Sequence, residues 1–245
     1  MYEPRTYRRQ MENGRFTGFT LRDGETDLWI GISDQTNLKE IRRSAINCVS
    51  DLRKVLKNYV DDNPDFLRSH KPLALDDNEP TIIKEMKIAA MEANTGPMAA
   101  VAGIIAMNTL KNLDEKFNIG EIIIENGGDI AIKIENQIVV DPFAGKNKYF
   151  KNIGIEISNF KEKLAICSSS GIFGHSLSYG KADLVVAISR DAALADAWAT
   201  SIANDIQIKE DVEKVTRILP SEIISVMAVK DDKMAYRGSF SMVRI

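Results

Sequence analysis

Three segments of the chain place polar side chains at spacings that could do chemistry. In DAALADAWATSIAND (191–205), Asp196, Thr200 and Asn204 fall at i, i+4 and i+8. A helix would line up this carboxylate, hydroxyl and amide on one face. Ala193, Ala195, Ala197, Ala199 and Ile202 surround them, and neither Lys nor Glu is present to mark a solvent stripe. Polar groups buried on such a helix need partners, and oxygen donors of this kind suit a hard cation such as Mg²⁺. The exposed face of an amphipathic helix is the competing reading.

The second segment, CSSSGIFGHSLSYGKAD (167–183), holds one of the two cysteines and one of the two histidines of the chain. A neighbouring imidazolium lowers a thiol's pKa, so Cys167 beside His175 would form a nucleophilic thiolate. The same residues also fit a buried strand-end cysteine and a loop histidine bonded to backbone. GHSLS has the outline of a G-x-S-x-G nucleophile elbow, but that constellation needs a histidine downstream and none follows His175. Cys48 belongs to the apolar stripe of a long helix, and His70 lies in a polar loop, where it reads as solvated. Two cysteines and two scattered histidines give no zinc pattern.

The third segment is ENGGDI (125–130). Consecutive glycines let backbone amides approach a phosphate, and Asp129 could hold a cation; a hairpin turn with a solvated aspartate fits equally. Neither G-x-G-x-x-G nor G-x-x-x-x-G-K-[ST] occurs.

The elements that must position these residues are short strands and grouped helices. FTGFTLRDGETDLWIGIS predicts a hairpin turning at Asp23-Gly24. A long helix is predicted over Leu38–Val60, with Asn37 and Glu40 as a capping box and Ile41, Ala45, Cys48, Leu52, Val55 and Tyr59 as its apolar stripe. Residues 63–80 read as a connecting loop. A second helix covers Thr81–Ala93, and Pro97 opens a third. The small residues Ala99, Ala100, Ala102, Gly103 and Ala106 suit close packing within the chain or a homodimer contact. The N-terminus of this helix, with Thr95 and Gly96, is a candidate anion site.

From Gly120 the text turns to β-branched strands, IIIEN, IAIKIE, QIVVD, IGIEI, KLAIC and ADLVVAIS, and it ends in a hairpin turning at Asp231-Asp232. Helices are expected at Ala192–Asn204 and Asp211–Ile218. Without regular βαβ alternation the class is α+β. Residues 1–245 read as one domain, with any internal subdivision placed near Asn118.

At 245 residues, with 44% hydrophobic and 27% charged side chains, the chain can bury a core without disulfide or metal. A net charge of −3 and a pI near 5.6 argue against nucleic acid as partner. MYEPRTYRRQMENGRF lacks the apolar core of a secretory signal, and no apolar run suggests a membrane span. Two distant cysteines then point to reduced thiols and a cytoplasmic protein.

Taken in order, IENGGDI, CSSSG, GHSLSYG and ADAWATSIAN resemble the ApbE family, the FAD-dependent protein flavin transferases. That family carries N-x-G-G-D, T-S-G, H-x-x-D-P-x-T-G and A-D-A-x-A-T in the same order. The match spans roughly the second half of the chain. In the first half, ETDLWIG and NTGPMAAVAG look like a smaller group of ApbE-related proteins from archaea and anaerobic bacteria. The resemblance implies an ApbE-like fold and a phosphate-bearing small molecule, FAD or FMN, as ligand. It implies Mg²⁺ held by Asp196 and Thr200, and pocket walls from Asn126, Gly127, Gly128 and Asp129 and from Ser169, Ser170 and Gly171. GHSLSYG lacks the Asp-Pro between its histidine and glycine, and DPFAG (141–145) comes too early to replace it. Fold and pocket therefore carry over further than flavin transfer itself. Two alternatives stand beside this reading: sulfur transfer through Cys167, and a non-catalytic assembly subunit that keeps the pocket.

Overall fold

Alternating apolar residues near the N-terminus form a hairpin of β1 (Thr17–Asp23) and β2 (Thr26–Ile32), which turns through Gly24 and Glu25. Gly24 has φ of 55°, a left-handed conformation that glycine adopts without a Cβ clash. β2 is buried along its whole length. Leu28 and Ile30 join the helix-side core, and Trp29 alternates to the other face. Gly18 and Gly31 make room for the Trp29 ring, since a Cβ there would lie 2.7 and 2.3 Å from it. The computed structural model describes residues 14–33, 37–142, 147, 149–171, 179–217 and 219–245.

The first helix, α1 (Leu38–Asp62), begins as expected but without the expected capping box. Asn37 has ψ of 30°, outside the extended region a side-chain cap needs, and its carbonyl accepts the Glu40 N–H at 3.0 Å. Residues 63–80 are not all loop. They contain α2 (Pro64–Arg68), whose single apolar anchor, Phe66, is buried edge-on to Tyr59 with ring centroids 5.1 Å apart. One aromatic among charges leaves no periodicity to read. The remainder of the segment is tied down by a buried ion pair. Lys87 Nζ binds Glu79 and donates to Ala74 O at 2.8 Å, while Glu79 also accepts the Tyr59 hydroxyl. Lys87 lies on α3 (Thr81–Ala93), which ends at Asn94 in the left-handed conformation, φ 52°. The chain then bends by 104° into a 3-10 turn (Pro97–Ala100) and α4 (Val101–Phe117).

Every pairing among the described strands is antiparallel, so the class is α+β. In chain order the strands are β3 (Ile122–Asn126), β4 (Asp129–Lys133), β5 (Ile138–Val140), β6 (Ile153–Ile157), β7 (Leu164–Ser169) and β8 (Leu184–Ser189). After α5 (Ala192–Asp205) and α6 (Asp211–Val215) come β9 (Ile223–Lys230), β10 (Lys233–Gly238) and β11 (Ser241–Arg244). The large sheet runs β1-β2-β3-β4-β7-β8-β9-β10 and the small one β11-β6-β5. Strands from both sides of residue 118 share the large sheet, because β2 pairs with β3.

Alternation along the strands divides two faces. Ile122, Ile124, Ala131, Ala165 and Cys167 pack under α1, α3, α4 and α5. Ile132, Leu164, Ile166, Val186 and Met227 face the small sheet's Ile155 and Ile157. Val185, Ala187, Val226 and Ala228 meet Ala199, Ile202 and Ala203 of α5 and Val212 of α6. No single helix among the described residues is long and apolar enough to cross a membrane.

Glu121 fastens the start of β3. It accepts Arg15 Nε and the Glu135 and Asn136 amides, each at 2.9 Å. Chiefly through Arg15, and then through those amides, its carboxyl is held down at about 2 against an ordinary 4.5. A depressed folded-state pKa contributes stability that is present above the unfolded value and lost as pH falls through the folded one. Urea unfolding from pH 6 to pH 2 should therefore show a loss that Glu121→Gln abolishes between pH 4.5 and 2. Its size is on the order of 2 kcal/mol, discounted from the full shift because Arg15 is partly exposed.

Candidate functional site

The β3–β4 hairpin turns through Gly127 and Gly128, with φ of 70° and 111°, which places Asn126 opposite Asp129. Both side chains belong to the helix-facing set of their strands, two positions from Ile124 and Ala131. By the same alternation, Cys167 and Ser169 of β7 face the helices with Ala165. The Asp129 carboxylate accepts the Ser168 amide at 3.1 Å, and Ser168 Oγ donates to Gly128 O at 3.0 Å. The GGD turn and the serine turn are thus locked together. Gly128's own amide is taken by Glu125 Oε1 at 3.0 Å, so it is already partnered within the chain.

Above this row, α4 and α5 cross. A Cβ on Gly103 would lie 2.7 Å from Ala192 O, 3.0 Å from Cys167 Sγ and 3.1 Å from Asp196 Cβ. The small residues of α4 are used for packing within the chain at this point. Gly103 N–H, one of the orphan amides of the first helical turn, donates to Asp196 Oδ2 at 2.9 Å. The aspartate of α5 therefore caps α4, which has no side-chain cap of its own. Asn126 Nδ2 donates to Ala102 O at 3.0 Å from the sheet side. Asp196 and Thr200 are buried, and Asn204 is half-buried with its Oδ1 accepting the Tyr179 amide at 2.8 Å. The exposed-face reading of this helix fails, because its polar stripe points into the protein.

Burial, and then the nearby Asp129, push the Asp196 carboxyl well above the usual carboxylate range, against the pull of the Gly103 and Ala102 amides. Two carboxylates brought together out of water are costly unless a proton or cation joins them. Among the described residues no three of His, Cys, Asp and Glu converge as a metal set. Asp129, Asp196 and the Thr200 hydroxyl would supply part of a shell, and Mg²⁺ commonly completes its octahedron with ligand phosphate and water.

Cys167 does not have the surroundings of a thiolate. It is 0% exposed, its S–H points to Ala192 O at 3.7 Å, and burial plus the Asp129 and Asp196 charges push its thiol pKa well up. This disfavours the nucleophile expected at this position, because an activated cysteine needs an electropositive, accessible setting. His175 lies outside the described residues. Gly96 is filled by the chain itself, since a Cβ there would lie 1.8 Å from Ser69 O. The anion site expected at the α4 N-terminus is likewise occupied in part by Asp196.

Thr95 and Ser169 stand apart. They are 3% and 5% exposed, and their hydroxyls are the two buried side-chain polar atoms without a hydrogen-bond partner among the described residues. Gly171 and Gly180 close the base of the serine loop, with Gly171 N–H donating to Ala182 O at 3.0 Å. A Cβ on Gly180 would lie 1.7 Å from Ala203 O of α5. None of these residues lines the surface grooves beside Phe160 and Arg190 or beside Tyr149 and Met242.

The close packing expected of the small residues around Gly103 is found within the chain; its partner, Asp196 on α5, was not read from the sequence. His70 is exposed, as expected of a loop histidine, and its ring packs edge-to-face on Tyr179 at 5.3 Å, a contact that the loop's composition does not mark. The burial difference between the two cysteines gives a direct check. Cys48 is partly exposed and Cys167 fully buried, so iodoacetamide at neutral pH should label Cys48 first, with Cys167 reacting only on unfolding. Faster labelling of Cys167 would restore the thiolate.

The family model described as AbpE bacteria matches residues 8–225. The UPF0280 protein MJ1526 of Methanocaldococcus jannaschii is 34% identical over 221 residues, covering 87% of each chain. The UPF0280 protein MmarC5_0355 of Methanococcus maripaludis is 44% identical over 182 residues, covering 74% of this chain and 72% of its own. Among solved structures, the apo form of the Pseudomonas stutzeri flavinyl transferase ApbE superposes with a TM-score of 0.57 at 10% identity, covering 94% of each chain. The chain shares the ApbE fold, and it belongs to the AbpE bacteria family.

Proposed function

We propose that the protein binds a flavin nucleotide, FAD or FMN, through its phosphates, with Mg²⁺ held at Asp196 and Thr200 beside Asp129. The observation that carries this reading is the pair of buried, unpartnered hydroxyls of Thr95 and Ser169. Leaving a buried hydroxyl unsatisfied costs about 1–3 kcal/mol, so two of them mark a place where a polar ligand belongs. They lie in the α3–α4 bend and at the end of β7, both among the segments singled out by the sequence. The oxygen-rich donor set fits Mg²⁺ rather than zinc or iron. When bound, the ion would offset phosphate charge; the chain's own part is to orient the nucleotide and to keep Asp196 anchored on the Gly103 amide. Related flavin transferases move FMN to proteins, but the reading here stops at binding, because the Asp-Pro of their histidine loop is absent from this sequence. Sulfur transfer through Cys167 is not favoured, given its burial.

Ligand binding raises the melting temperature by mass action. At a hundred times Kd the gain is about 2.7 kcal/mol, or roughly 5–10 °C for a chain of this size. FAD with Mg²⁺ should give such a shift, and chelation with EDTA should reduce it. Asp196→Asn keeps an acceptor for the Gly103 amide while removing the charge. That variant should melt near wild type without ligand and lose the Mg²⁺-dependent part of the shift. No shift with saturating FAD, FMN or ATP would overturn the reading.

A further inference from the structure

The phosphate end of the site is built from buried groups, but two aromatic side chains remain at its margin that packing does not account for. Tyr179 is 63% exposed, and His70 is exposed and meets it edge-to-face at 5.3 Å. They come from segments 109 positions apart in sequence, each with its own backbone contacts. Tyr179 N–H donates to Asn204 Oδ1 at 2.8 Å, and its carbonyl accepts Gln207 Nε2 at 3.2 Å. On the other side, the Ser69–His70 backbone sits on Gly96, next to the unpartnered Thr95, and the following loop is pinned by the buried Lys87–Glu79 pair. Neither ring is placed by burial of its own surface; their backbones are anchored and the rings meet each other.

Their location relative to the carboxylates follows from α5. Asn204, which anchors Tyr179, lies on the same helix face as Asp196 and eight residues further on. At 1.5 Å per residue that is about 12 Å along the axis, a span that a sugar phosphate and its ring system can cover. His70 arrives beside Thr95 from the opposite wall. We propose that His70 and Tyr179 form the ring-binding margin of the site, where the planar ring of a nucleotide stacks on Tyr179 and His70 holds the tyrosine ring in place. The inference rests on the nucleotide reading above and adds to it which residues hold the ring.

The test uses the full chain with Mg²⁺ and two probes, FAD and inorganic pyrophosphate, the second carrying the charge but no ring. Flavin fluorescence should be quenched when FAD binds wild type, because stacking on tyrosine quenches it. Tyr179→Leu should weaken FAD about 5- to 150-fold, the range expected for loss of one aromatic stack. It should abolish the quench and leave the pyrophosphate melting shift unchanged. Tyr179→Phe should bind and quench like wild type, and His70→Ala should weaken FAD less than Tyr179→Leu. Wild-type affinity and quench in Tyr179→Leu would refute the ring margin while leaving nucleotide binding intact. Equal weakening of both probes would show a structural role only and would also refute it. Should wild type bind pyrophosphate but not FAD, the ring margin falls together with FAD as the ligand and only a phosphate site stands; should it bind neither, the phosphate site falls as well.

Discussion

The structure turns on the contact where α4 meets α5 over the sheet. Gly103 has no side chain, so the α5 carbonyl of Ala192 and the Cys167 sulfur come within about a Cβ's reach of its α-carbon. That closeness lets Asp196 Oδ2 accept the Gly103 amide at 2.9 Å. One hydrogen bond thereby caps a helix, joins it to another and sets a carboxylate in the interior. An amide bonded to a charged group is worth more than a neutral pair, about 1.5–3 kcal/mol, but it does not remove the cost of burying Asp196 near Asp129. Several neighbours of this contact are satisfied locally: Asn126 on Ala102, Ser168 on Gly128 and Asp129, Asn204 on Tyr179.

The buried hydroxyls of Thr95 and Ser169 lack a partner among the described residues, whereas several largely buried charges are paired. Lys87 with Glu79, Lys133 and Lys163 with Asp114, and Arg15 with Glu121 are all matched. Natural sequences break local rules mainly where function requires it. The contrast between these matched pairs and the unpartnered Thr95 and Ser169 hydroxyls is the physical basis of the proposed ligand site. Cys167, at the centre of that region, serves as a small apolar filler between sheet and helices; its thiol is directed at a carbonyl.

Much of this was legible in the sequence where the signal is local. The i, i+4 spacing of Asp196 and Thr200 among alanines predicted a polar stripe on an apolar helix, and the stripe is buried. The Gly127-Gly128 turn was read from its glycines, and Asp129 is buried rather than solvated. What could not be read is non-local. The Gly103–Asp196 bond joins residues 93 apart, and His70 meets Tyr179 across more than a hundred positions. The α2 helix depends on one buried phenylalanine, and the Asn37 box failed on a backbone angle no residue pattern encodes. Likeness to a flavin transferase at 10% identity shows how far a fold persists as sequence diverges.

The most direct measurement is a crystal structure of the protein with FAD and Mg²⁺. The account predicts Thr95 Oγ1 and Ser169 Oγ within about 3.2 Å of a ligand oxygen, and the cation on Asp196. Nucleotide bound elsewhere, with both hydroxyls still unpartnered, would contradict it.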